Sequence, residues 1–313
     1  MLKYAAKKLL ASLPVLLGVS LLVFLIMHLT PGDPAAVILG PDADQESVQV
    51  LRTKLGLDQP LPVQYARYLG RLAHGDLGVS IRSNQPVSKE LGSRYPFTME
   101  LAVVSLVISV VLGIGAGVIA AVKKGSIGDT LTMVTALVGV SAPSFWIGLM
   151  LMMLFSYYLR WLPASGRGGP LWTLAGWKTI LLPAIALGLG SAATIARMTR
   201  SSLLEVLNQD FIRTARAKGL PERVVIFRHA LSNAMIPVVT IVGLHLGFLL
   251  GGSVIVEQVF AWPGIGTQVV TAIGNRDFPV VQAAVLMIAL SFVLINLVVD
   301  MVYGMVDPRI RYD

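Results

Sequence analysis

Seven cations, Arg197, Arg200, Arg213, Arg216, Lys218, Arg223 and Arg228, crowd one polar stretch of a chain whose charged residues are only 13% of 313. Its core, from Phe211 to Pro237, reads FIRTARAKGLPERVVIFRHALSNAMIP. Such residues suit recognition of a partner surface. The groups that bond-making chemistry needs are scarce. The chain has no cysteine, which removes disulfides, zinc thiolates and a cysteine nucleophile. It has no GxxxxGK(S/T) run to cradle nucleotide phosphates. The four histidines, His28, His74, His229 and His245, form no HExxH pair and adjoin no serine or aspartate at triad-like spacing. A membrane enzyme therefore has no supporting catalytic cluster.

The spacing predicts two short helices that present the polar stretch. Asp210 is placed to cap a helix starting at Phe211, its carboxylate accepting orphan N–H groups of the first turn. Arg213 and Arg216, three apart, share a face, while Ile212 and Ala215 mark another. Thr214 lies between these faces, and the small Ala215 and Ala217 let the backbone approach a partner closely. After Lys218, Gly219 ends the helix because it alone enters the left-handed conformation without penalty. Beyond Leu220, Pro221 suits the first turn of a second helix carrying Glu222, Arg223, Arg228 and His229. Two readings stand on the residues alone: a basic loop that sets topology and touches anionic headgroups, or a handle seated in a groove of a partner.

Hydrophobic residues are 55% of the chain and the mean hydropathy is +0.74. A soluble domain of this length needs far more polar surface, so this is an integral membrane protein. The net charge of +8 then reflects retained loop cations rather than nucleic-acid binding, and no nucleic-acid partner is expected. About 20 apolar residues cross a bilayer. Six runs meet that length: Leu9–Leu29, Leu101–Val122, Leu131–Leu154, Thr179–Ile195, Ile236–Val256 and Val280–Tyr303. The first lacks a small-x-small cleavage site after it and reads as an uncleaved span. With the N-terminus inside, the inner segments hold Lys3, Lys7, Lys8, Lys123, Lys124, the seven cations, Arg309 and Arg311. The short outer loops hold only Arg160, Arg167, Lys178 and Arg276. The positive-inside rule thus puts both termini and the 197–235 loop in the cytoplasm.

The organisation expected is residues 1–29 as N-terminus and first span, 30–100 as a small helical extracytoplasmic subdomain, 101–303 as the core, and 304–313 as a cytoplasmic tail. In the subdomain, Asp44–Leu55 has helix start and stop signals and Pro62–Leu72 is amphipathic. It either docks a soluble partner or caps the bundle. Asp300 is the main carboxylate within a span, so ion coupling by midplane carboxylates lacks its usual residues. A stand-alone secondary transporter or channel is the less favoured reading, because energy has to enter from another subunit. His28 and His245 read as hydrogen-bonded packing. Gly251, Gly252 and Ser253 serve close helix packing or a solute path. Glu257 is expected at the outer interface, bonding the Trp262-Pro263-Gly264-Ile265-Gly266 turn. That turn reads as a re-entrant gate beside the pore or as a rigid turn with an interfacial Trp. Pro143 within Ser141–Trp146 bends the third span, and Asp307 and Arg309 offer a local ion pair or a partner contact.

Arg213-Thr214-Ala215, Gly219 and the run from Asn233 to Pro237 resemble the EAA loop of bacterial ABC importer permeases, in the RTARAKG form of the dipeptide, oligopeptide and nickel family. Pro31–Pro34, Gly56–Pro60, Gly75–Gly78, Trp262–Gly266, Asp277–Val280 and Asp307–Arg309 resemble segments of the same family, so the resemblance covers nearly the whole chain. It implies an all-α polytopic protein with six transmembrane helices and the type I ABC importer permease fold. It further implies half of a translocation pathway for short peptides, with glutathione or nickel chelates as alternative cargo. The partners implied are a homologous second permease, two cytoplasmic ATPase subunits, an extracytoplasmic solute-binding protein and membrane lipid. ATP and Mg would be held by the ATPases, and this chain would bind no cofactor. The coupling segment would be Asp210–Leu220.

Overall fold

A computed structural model describes residues 2–29, 34–40 and 43–306. Peptide groups in hydrocarbon have to bond within their own segment, so apolar stretches become helices. In chain order these are α1 (Leu2–Leu29), α2 (Pro34–Leu39), α3 (Gln45–Leu55), α4 (Leu61–Ala73), α5 (Val87–Val122), α6 (Ile127–Ser141) and α7 (Ser144–Leu151). They continue as α8 (Leu174–Leu207), α9 (Asp210–Ala217), α10 (Glu222–Val224), α11 (Leu231–Val259), α12 (Ile265–Gly274) and α13 (Phe278–Val306). Wide π-helical turns, Met152–Tyr158 and Val225–Ala230, extend α7 and join α10 to α11. Among the described residues, five continuous helical runs are long and apolar enough to cross a membrane.

The expected third span is two helices. α6 and α7 meet at an angle of 109°. Pro143 has no N–H and forces its neighbour out of the helical region; Ala142 accordingly sits at φ −80°, ψ 132°. This is a sharp corner where the sequence suggested a kink. Of the other spans, α5 and α8 run furthest past their expected limits. α5 starts at Val87, inside the segment assigned to the outer subdomain, and α8 continues to Leu207. At 1.5 Å per residue the 34 residues of α8 reach about 51 Å, against roughly 30 Å of hydrocarbon. Arg197 and Arg200 therefore ride on the end of a helix, and the loop assigned to residues 197–235 begins only after Leu207.

α5 and α8 form the spine of the bundle, and glycines bring them together. A Cβ on Gly113 would lie 2.7 Å from the Ala192 carbonyl oxygen, and one on Gly117 would lie 2.6 Å from that of Ala196. Gly188 returns the approach, 2.7 Å from the Ser105 carbonyl, and the Ser109 hydroxyl donates across to the Gly188 carbonyl at 2.7 Å. Small residues suit a membrane bundle, where close packing replaces the hydrophobic drive. At the end of α5 near Val87, a cluster with Leu91, Ile265, Val269 and Val280 closes the bundle. At the other end, Val118 and Ala121 join a cluster that includes Ile212 of α9. The two clusters thus cap opposite ends of one long helix.

The segment before α5 holds α3 and α4 as expected, with Gly56 at φ 69° ending α3. α4 is bound to α1: Phe24 stacks against Tyr68 with ring centroids 6.0 Å apart, and Tyr65 Oη lies 2.8 Å from Ser20 Oγ. The loop before α5 is fastened to the start of α13 by Asp277, which accepts from Ser80 Oγ at 2.5 Å and from the Ile81 N–H at 3.1 Å. Asp300, the span carboxylate, pairs with Lys8 of α1. His28 bonds Gln64 and the Phe24 carbonyl, and His245 Nδ1 lies 3.0 Å from Ser191, so both histidines make internal hydrogen bonds as expected. Pro31, Gly32, Asp33, Asp307, Arg309 and Arg311 lie outside the described residues.

Candidate functional site

α9 is a small knob with two unlike faces. Ile212 is fully buried and Ala215 nearly so, in a cluster with Leu203 and Val206 of α8, Val225 and Ala230 of the π-helical turn, and Ala234 of α11. The rest points outward: Phe211, Arg213, Thr214, Arg216, Ala217, Lys218, Gly219 and Leu220 are all exposed. Eight residues are too few to hold a helix in water alone, so the buried face keeps α9 in shape.

Gly219 is the hinge of the motif. It sits at φ +76°, its N–H bonds the Arg216 carbonyl at 2.9 Å, and the Leu220 N–H reaches the Ala215 carbonyl at 3.4 Å. This is the paired closure of a Schellman cap. Arg216 Nη2 then crosses the turn to Glu222 Oε1 at 2.7 Å, tying the exposed arms together, and the carboxylate raises the Arg216 guanidinium further above its ordinary value. Thr214 Oγ1 donates back to the Asp210 carbonyl at 3.0 Å.

Three local expectations are corrected. Asp210 is the first helical residue and makes no cap bond; Gln209 occupies the cap position, and the Asp210 carboxylate instead lies 3.6 Å from Arg213. Pro221 precedes α10 in extended conformation rather than standing in its first turn. Ala215 turns inward, so its small size seats α9 on its own bundle, while Ala217 offers a small surface outward. Nearby, Arg200 forms a two-pronged pair with Asp129 at 2.6 and 2.7 Å, and Asp129 Oδ2 accepts from the Gly125 N–H at 3.0 Å. This clamp fixes α8 to the α5–α6 turn. Asp129 escaped the sequence reading, although Ser126-x-x-Asp129 is a helix-start pattern and Ser126 does accept from the Asp129 N–H.

The second set of candidates divides. Glu257 is fully buried and, as expected, bonds the turn that follows α11. It accepts from Thr98 Oγ1 at 2.7 Å and the Thr267 N–H at 3.2 Å, while Thr98 Oγ1 also accepts from the Ile265 N–H at 2.8 Å. Gly264 and Gly266 wrap this carboxyl group; a Cβ on either would collide with it. Trp262 is buried rather than an interfacial anchor, and its Nε1 donates to the Phe97 carbonyl at 2.9 Å. Pro263 is half-buried beside it. Glu257, Trp262 and Gly264 thus form a joint between α5, α11 and α12. Ser253, also buried, bonds the Leu250 carbonyl at 2.8 Å. Gly251 and Gly252 do not serve close packing within this chain: both are exposed, Gly251 has no neighbour within 4 Å of a built Cβ, and Gly252 meets only Leu187 at 3.5 Å.

Residues 113–312 match the family described as binding-protein-dependent transport system inner membrane component, and residues 1–102 match its N-terminal membrane component. The chain belongs to this family. It is 48% identical over 312 residues to the glutathione transport system permease protein GsiC of Salmonella paratyphi A, and 47% identical to that of Escherichia coli K12, each alignment covering all of both chains. Among solved structures it resembles the inward-facing MetNI methionine ABC transporter at 20% identity, covering 71% of this chain and 98% of the other, with TM-score 0.58. An amino acid ABC transporter crystallised with histidines matches at 15% identity, 71% and 95% coverage, and TM-score 0.51. The fold is that of a type I ABC importer permease. The chain is a permease subunit of an ABC importer, a multi-pass protein of the inner membrane.

Proposed function

We propose that this permease imports glutathione or peptides of that size, and that Asp210–Leu220 couples it to separate ATPase subunits. The coupling reading rests above all on one observation: α9 is anchored by Ile212 and Ala215 yet leaves its other residues open at one end of the bundle. A rigid seat with a free outer face transmits displacement. ATP binding by two ATPase subunits would close them, draw α9 along, and rotate α8 and α11 through the cluster that holds it. Nickel chelates are the alternative cargo.

The glutathione assignment is supported by the name of the relatives at 47–48% identity over full length. The loop cations support an orientation with α9 and both termini cytoplasmic and with α3 and α4 outside, where a solute-binding protein delivers cargo. Leu244, Phe248, Gly251, Gly252 and Ile255 share an exposed face of α11, small in its middle, which suits a homologous second permease or the path between the two. The test is uptake by proteoliposomes holding this permease with its neighbouring-gene permease, ATPases and binding protein. ATP-dependent accumulation of labelled glutathione in excess of dipeptides supports the cargo. ATP-dependent uptake of dipeptides only would move the cargo to peptides, and uptake independent of ATP would overturn the coupling.

A further inference from the structure

The end of the bundle away from α9 holds a cavity of about 1280 Å³ between α1, α3, α4, the loop before α5 and the start of α13. Its apolar lining includes the ends of membrane helices: Phe24 and Met27 of α1, Phe278 and Pro279 of α13. Its polar lining is cationic, with Arg52, Lys54, Arg67 and Arg71 from α3 and α4, joined by His28 and His74. Asp76 is the one carboxylate among the described lining residues, and it is engaged by the Gly78 N–H at 2.8 Å. Lys54, Arg67 and Arg71 meet no carboxylate within 4 Å among the described residues, so a surplus of positive charge faces the space.

A second observation is independent of charge. Tyr68 lines the same cavity, is 7% exposed, and its hydroxyl has no hydrogen-bond partner among the described residues. Burial pushes this phenol up to about 12, so it remains a donor at neutral pH. Both ring nitrogens of His28 face acceptors, the Phe24 carbonyl and Gln64 Oε1, and the Gln64 amide N–H groups are taken by the Leu57 and Gln59 carbonyls.

We infer that this cavity binds the headgroup of an anionic phospholipid. Guanidinium groups and a buried phenol O–H match phosphate oxygens. The space exceeds the 300–1,000 Å³ typical of small-ligand pockets, leaving room for the glycerol backbone beside the apolar lining. The acyl chains have a track, since Leu17 and Leu21, two turns and one turn before Phe24 on α1, are exposed. A soluble anion would use the cations but not that track. The headgroup would brace α3 and α4 against α1, holding the subdomain at the membrane surface.

The test is native mass spectrometry of the delipidated full-length chain, titrated with phosphatidylglycerol, phosphatidylcholine or glycerol 3-phosphate. Phosphatidylglycerol is expected to be retained in preference to phosphatidylcholine. Arg67→Gln/Arg71→Gln lowers that preference about 30-fold, from the usual attraction of two cations for anionic lipid. Gly70→Leu fills the cavity without altering charge, a Cβ there having open space, and also lowers retention. Equal retention of the two lipids, or phosphatidylglycerol binding unchanged in both variants at unchanged melting temperature, overturns the site. Glycerol 3-phosphate binding as tightly as the lipid overturns the lipid assignment in favour of a soluble anion.

Discussion

Replacing Ile212 with alanine separates the seat of α9 from its outer face. Ile212 is fully buried and is one of only two α9 side chains in the cluster, Ala215 being the other. Truncating a buried isoleucine to alanine costs about 2–5 kcal/mol, depending on how far the site collapses. Here the loss falls on an eight-residue helix with no independent stability, while the membrane helices keep their own packing. A loss of 2 kcal/mol shifts the seated–unseated balance of α9 about 30-fold. The assay is trypsin cleavage after Arg213, Arg216 or Lys218 in inside-out vesicles, alongside ATP-driven uptake. Cleavage should rise about 30-fold or more and uptake should collapse, with insertion and melting temperature of the bundle nearly unchanged. Arg213→Ala, on the exposed face, should leave cleavage elsewhere in α9 unchanged. If Ile212→Ala cleaves and transports like the parent, α9 is not held by this face and the transmission argument fails.

Gly219 tests backbone against bulk. A Cβ there meets nothing within 4 Å, so the chain itself resists a side chain only through its φ of +76°, worth about 1–2 kcal/mol. Gly219→Asn, tolerant of that region, should transport better than Gly219→Val, and a bulky residue should abolish uptake with membrane insertion intact; equal uptake by all three contradicts the hinge. Gly117→Val forces α5 off Ala196 and Thr199 and should yield no folded protein by size exclusion, whereas Gly115→Val, with open space, should fold normally. Glu257→Ala strands the buried Thr98 hydroxyl, at about 1–3 kcal/mol, and should lower the melting temperature measurably more than Glu257→Gln.

Much of this architecture was legible because the bilayer imposes it. Apolar runs of fixed length become helices, and Gly56 and Gly219 end theirs where φ turns positive. The corner at Pro143 was legible in place but not in angle, since 109° depends on what α6 and α7 pack against. Helix ends beyond the membrane were missed for the opposite reason: the charged extensions of α5 and α8 carry no hydropathy signal, yet Asp129–Arg200 and Glu100–Arg167 pairs hold them. In α9 the pattern identified both faces but not which one belongs to the chain. Ala215 looked like a surface for a partner because small size serves either side equally. Glu257 was legible as a partner of the turn after α11, but its full burial was not, because Thr98, whose hydroxyl it accepts from, is distant in sequence.

Because the chain has no cysteine, single cysteines report position without background. Ala217 is exposed on α9 and small, so Ala217→Cys carrying a photoreactive crosslinker perturbs the seat least. In the assembled, transporting complex, that probe should form an adduct with an ATPase subunit whose yield changes on adding ATP, and Gly115→Cys on the exposed flank of α5 should form none. Absence of an adduct at Ala217 in a complex that still transports would contradict coupling through α9.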